Sequence, residues 1–107
     1  MVIYKNRDSG GNSWIVYHSS LAVTNSLTLN NTNGQAAGGS LYWNSTAPTS
    51  TVFSLGTDGA VNTNTEDYVA YCFAEVEGFS KFGSYTGNGS ANGPFVYTGF
   101  RPAFILA

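Results

Sequence analysis

The sequence predicts an all-β protein, an antiparallel β-sandwich of jelly-roll type with little or no helix. Three observations carry that expectation. Apolar residues fall in short runs or at period 2, with no window long enough for an amphipathic helix. Gly, Ser, Thr and Asn interrupt nearly every stretch, as turn residues do between strands. Aromatics reach 15% and hydrophobic residues 42%, while charged residues are only 9%, so a core is affordable under a polar, nearly uncharged surface.

Taken in order, the predicted strands are Val2 to Lys5, Trp14 to Ser19, Ser26 to Asn30, Ser40 to Trp43, Thr51 to Leu55, Tyr68 to Val76, Ser80 to Thr86, Phe95 to Gly99 and Ala103 to Leu106. Each is a short β-branched or aromatic run bounded by turn formers. "NRDSGGNS" links the first two, and Asp58-Gly59 is a two-residue hairpin signal. In the strand from Tyr68 to Val76, the alternate residues Tyr68, Ala70, Cys72, Ala74 and Val76 share one face and Val69, Tyr71, Phe73 and Glu75 the other. Both faces are apolar, so this strand is expected at the centre of a sheet. At 107 residues the chain has the length of a single domain spanning 1–107.

Charge excludes several partners. The net charge is −2 with four Lys and Arg, too few to neutralise a run of phosphates, so neither nucleic acid nor an anionic membrane is an expected partner. No apolar run reaches the ~18 residues of a membrane span, and no signal peptide is evident. Asn-x-Ser/Thr sequons at Asn30, Asn44 and Asn88 are expected by chance in so Asn-rich and Ser-rich a chain.

Candidate catalytic groups are sparse. The one cysteine, Cys72, belongs with small neighbours and is expected in the core, where a thiol stays neutral. The one histidine, His18, closes "WIVYH" and reads as a strand-end polar residue, although a Cys72/His18 pair is the one nucleophilic arrangement the composition allows. Glu75 and Glu77, at i and i+2 of one strand, would stand ~6.7 Å apart, near the separation of an inverting glycosidase, but side by side rather than across a sugar. They are expected to be a solvated strand end. "NTNTED" lacks the spacing of a calcium loop, and "TGNGSANG" lacks the Lys of a phosphate loop; both read as turns. No cofactor and no metal are predicted. Tyr42, Trp43, Tyr85 and Tyr97, set among Asn, Ser and Thr, are the candidate glycan contacts, since aromatic faces stack on sugars while neighbouring amides and hydroxyls bond their hydroxyl groups.

The run "YVAYCFAEVEGFSKFGSYTGNGSANGPFVYTGFRPAFIL" resembles an uncharacterised repeat of marine phage and metagenomic tail-fibre-like proteins. "VIYKNRDSGGNSWIVYHSSL" and "YWNSTAPTSTVFSLG" resemble it more loosely. The resemblance implies a non-enzymatic structural or adhesion role in a virion assembly, hence a virion or extracellular location, and brings no catalytic residues. A carbohydrate-binding module for host-surface glycans is the alternative, and a small hydrolase a third reading. In such proteins a segment like "GFRPAFIL" runs on into one like "WIVYH", so the chain reads as one repeat cut through a strand, whether a gene product or part of an array. "MVIYK" and "PAFILA" are accordingly expected to pair with each other or with a neighbouring subunit, making a homo-oligomer.

Overall fold

A computed structural model describes residues 1–107. The chain, read above as one domain, forms two compact units, residues 1–73 and residues 74–107.

The first unit is built on one five-stranded antiparallel sheet in the order β4-β3-β2-β1-β5. Its strands are β1 (Val2–Asn6), β2 (Ile15–Tyr17), β3 (Asn25–Thr28), β4 (Ala36–Ala37) and β5 (Tyr68–Cys72). Two short helices, α1 (Gly39–Trp43) and α2 (Gly59–Asn62), complete it. The all-β class holds; the second sheet that a sandwich requires is not formed.

β1 is an interior strand, flanked by β2 and β5. Val2 lies opposite both Tyr17 and Cys72, and Tyr4 opposite both Ile15 and Ala70. Directly opposed residues share a face, so Val2, Tyr4 and Ile15 stand together and pack with Trp43, Ala60 and Val61 of the helices. Ile3 and Val16, paired on the other face, are buried as well. The two-faced apolar strand predicted at Tyr68 to Val76 is therefore found at "VIY" instead. β5 is an edge strand that stops at Cys72, and Cys72 is exposed, which overturns its expected place in the core. Cys72 is the last residue of this edge strand and shares the face of Val2, so it lies at the rim of the core rather than within it.

The segment Ser40 to Trp43 is helical, not a strand. Four residues are too few for period 2 and period 3.6 to be told apart, and packing decides. Gly38 and Gly39 both donate to the Thr24 carbonyl, at 3.1 and 3.0 Å. A side chain at Gly39 would run into the Val23 carbonyl, so glycine alone lets α1 approach the chain this closely. The Trp43 indole then donates to that same Val23 carbonyl at 2.6 Å. Asn44, at φ 53° and ψ 38°, ends the helix in the left-handed region, where asparagine is tolerated.

Asp58-Gly59 opens α2 rather than a hairpin. The Asp58 carboxylate accepts from the Ala60 amide at 2.8 Å, an N-cap, and Ala60 and Val61 go into the core. Thr51 to Leu55 is irregular: the Thr49 hydroxyl accepts from the Val52 amide at 3.1 Å, and Phe53 meets Tyr4 edge to face at 5.5 Å.

One polar group binds the loops of this unit. Asn6 is buried, and its Oδ1 accepts from the amides of Asp8 and Ser9, each at 2.9 Å. Its Nδ2 donates to the Gly59 carbonyl, to Glu66 Oε2 and to the Tyr68 hydroxyl. Tyr68 in turn donates to the Gly59 carbonyl at 2.8 Å and accepts from the Thr63 amide at 2.7 Å. Every polar atom of Asn6 is satisfied, as burial requires.

The second unit has no helix and no ladder. Val76 and Ser80 form an isolated bridge around a turn with Gly78 at φ 73°. A second turn at 88–93 is held by Asn88, whose Oδ1 accepts from the Ser90 amide and whose Nδ2 donates to the Gly93 carbonyl. The predicted strands Ser80 to Thr86, Phe95 to Gly99 and Ala103 to Leu106 are not formed. Both edges of β1, which holds the opening segment "MVIYK", are occupied, by β2 and β5.

Candidate functional site

The four candidate glycan residues are divided between the two units. Trp43 is fully buried, with its ring edge to face against Tyr17 at 5.2 Å, so it is a core residue and withdraws from the predicted contact set. Tyr42, half-buried, lies beside it at a centroid distance of 6.0 Å. Burial, followed by the nearby Asp58 carboxylate, pushes the Tyr42 phenol above its ordinary value. Tyr85 and Tyr97 belong to the second unit and are both exposed.

Tyr97 lines a groove of about 390 Å³ within the second unit. Glu75, Glu77 and Lys81 come to it from the turn around Gly78, and Thr98 and Phe100 from the "YTGF" segment. The turn is held by Ser80, whose hydroxyl donates to the Ala74 carbonyl at 2.7 Å and accepts from the Val76 amide at 3.0 Å. The "YTGF" bend is set by Gly99, at φ 82°, and by the Thr98 hydroxyl donating to the Phe100 carbonyl at 2.7 Å. A φ of that sign favours glycine.

Glu75 is committed to its own turn. Its Oε1 accepts from the Phe82 amide at 2.9 Å and lies 3.3 Å from Lys81 Nζ. The Phe82 hydrogen bond first, and Lys81 second, hold its carboxyl below the usual range. A general acid needs the opposite shift, a carboxyl that keeps its proton near neutrality. The strand spacing expected for Glu75 and Glu77 is also lost, because β5 ends at Cys72. What the groove offers is an aromatic face beside carboxylate acceptors and an ammonium donor, the chemistry that engages hydroxyl-rich ligands.

The nucleophilic pair is not assembled. Cys72 lies on β5 and His18 just beyond β2, with β1 between them, a separation of about 9.5 Å across two strand spacings. His18 Nδ1 accepts from the Ser20 amide at 3.0 Å. Of the two acidic members of "NTNTED", Glu66 is engaged by Asn6 and Tyr68 and Asp67 lies 3.9 Å from the Arg7 guanidinium. No three His, Cys, Asp or Glu side chains come together, and no helix is long and apolar enough to cross a membrane.

Sequence reasoning did not find Lys81, Thr98 or Phe100 as groove residues. The signal for Thr98 and Phe100 was in "YTGF", where a glycine between two aromatics marks a bend. It read as a strand because its residues are β-formers.

The fold and groove together define a β-rich protein with one helix-backed antiparallel sheet and a separate, largely irregular unit carrying an open, polar and aromatic cleft. The chain belongs to the family described as Domain of unknown function (DUF7483), which it matches over residues 1–107. No match was found among curated proteins or among solved structures.

Proposed function

We propose that this chain is a non-enzymatic structural or adhesion module of a phage tail fibre or similar virion assembly. The observation that carries the proposal is the surface of residues 74–107. There Phe79, Tyr85, Phe95, Tyr97 and Phe104 are all exposed, on a stretch whose charged residues are two Glu, one Lys and one Arg. Large exposed apolar patches mark sites of association. The resemblance to tail-fibre-like repeats supports the virion setting, and the separation of Cys72 from His18 and the ion-paired state of Glu75 leave the hydrolase reading without a catalytic arrangement to rest on.

A second reading, recognition of host-surface glycans, is favoured by the groove at Tyr97. Titration of saccharides against intrinsic tyrosine and tryptophan fluorescence tests it. Saturable quenching that disappears in Tyr97→Ala supports a glycan site; an unchanged signal across neutral and acidic sugars removes it. For the assembly reading, sedimentation of the purified chain should show self-association. A strictly monomeric chain would count against it.

A further inference from the structure

Resting on the assembly reading above, we propose that residues 94–107 form an interface with a second copy of this chain. The segments Phe95 to Tyr97 and Phe104 to Leu106 each present three consecutive large apolar side chains, and all six are exposed, Phe95 by 91% and Phe104 by 81%. Their backbone is equally unengaged. No amide between 94 and 107 donates a backbone hydrogen bond, and the Phe100 carbonyl, which takes the Thr98 hydroxyl, is the one carbonyl of the stretch that accepts. Apolar side chains on unpaired backbone are what strand addition from another chain covers, ladder bonds and burial being supplied together.

Area and charge point to a copy of the same chain. With Val76, Phe79 and Tyr85, the exposed large apolar side chains of the unit number nine. The six within 94–107, three of them aromatics of about 150 to 250 Å² each, offer several hundred Å², and with the other three reach the scale of the roughly 800 Å² per partner in a stable interface. Residues 74–107 hold two acidic and two basic side chains, so a foreign partner has little field to recognise, while two identical copies meet without repulsion. Antiparallel pairing of a segment with itself about a two-fold axis is self-complementary, alternate residues of each copy giving their amides and carbonyls to the ladder.

The test is sedimentation of the full chain across a concentration series, beside Phe95→Ser combined with Phe104→Ser. Both tryptophans, Trp14 and Trp43, lie in the first unit, so an unchanged Trp emission certifies that the core of the variant is folded. The proposal predicts that the wild type self-associates and that the double variant does so at least about tenfold more weakly. Equal association of both proteins overturns this interface and leaves the assembly reading standing. A wild type that is monomeric at every concentration overturns both. Should the variant's emission show misfolding, amide exchange on the wild type decides: protection at 94–107 that rises with protein concentration supports the interface, and protection independent of concentration overturns it.

Discussion

The triplets Val2-Ile3-Tyr4 and Phe104-Ile105-Leu106 are alike in sequence and opposite in fate. The first is buried on both faces of the sheet; the second is exposed throughout. Their units differ in the same way, with eight buried hydrophobic residues in 1–73 and none in 74–107. Hydrophobicity does not distinguish them. What β1 has is a strand on either side to take its amides and carbonyls, and two helices brought close by glycines 38, 39 and 56. The lesson is that an apolar run becomes core only where backbone partners and close approach are both provided.

The largest effect should come from breaking the first unit's core. Trp43→Ala removes a fully buried ring and an indole hydrogen bond, and should cost about 3 to 5 kcal/mol in urea unfolding. Phe104→Ala in dilute protein should change stability by under about 0.5 kcal/mol, as exposed positions do. Equal costs would erase the contrast between the units.

Next is Asn6→Ala, which strands the amides of Asp8 and Ser9 and loosens Gly59, Glu66 and Tyr68. We expect a loss of roughly 2 to 3 kcal/mol, from several buried groups left unpaired at once. A loss confined to a few tenths, measured by the same unfolding curve, would mean that water replaces the asparagine.

Tyr4→Phe should move stability the other way. The Tyr4 hydroxyl is buried with no hydrogen-bond partner, so removing it should be neutral or stabilising by about 1 kcal/mol. Burial, then proximity to Cys72 and Tyr17, pushes the Tyr4 phenol up to about 12 from 10.0. A pKa raised by folding contributes stability that is complete below the unfolded value and is lost as pH rises through the folded one. The wild type should therefore weaken between pH 10.0 and about 12, and Tyr4→Phe should flatten that decline. Identical alkaline profiles would show that Tyr4 is solvated.

The smallest effect belongs to the second unit. Glu75 titrates below its ordinary 4.5 because of the Phe82 amide and Lys81. Its depressed pKa means that the turn's support is present above pH 4.5 and lost as pH falls through the folded value. The Phe82 amide resonance should shift with that titration, and Glu75→Gln should abolish the shift while leaving global unfolding unchanged.

The all-β class, the first three strands and the turn at 88–93 were legible because each rests on local chemistry: β-branched alternation, turn residues, asparagine's reach to nearby backbone. The misread elements depended on distant partners. Ser40 to Trp43 turned helical because Gly39 meets Val23 and Thr24, and Cys72 is exposed because its strand lies at an edge. Neither contact is written near the residues it decides. In the candidate site only Tyr97 was anticipated as a contact, from its aromatic ring; Glu75 and Glu77 drew notice for a strand geometry they do not have. Lys81 and Phe100 join them through two turns that no periodicity encodes.

The central claim, that residues 1–73 hold a core and 74–107 do not, is tested most directly by tryptic digestion of dilute protein. The four cationic residues are Lys5 and Arg7, in and just after β1, and Lys81 and Arg101 in the second unit. Arg101 precedes a proline, so Lys81 is the accessible bond there. Cleavage of a folded chain follows local opening, which is cheapest where burial is least. The first product should be residues 1–81 with Lys5 and Arg7 uncut. Cleavage after Lys5 or Arg7 that precedes or keeps pace with cleavage after Lys81 would contradict the account.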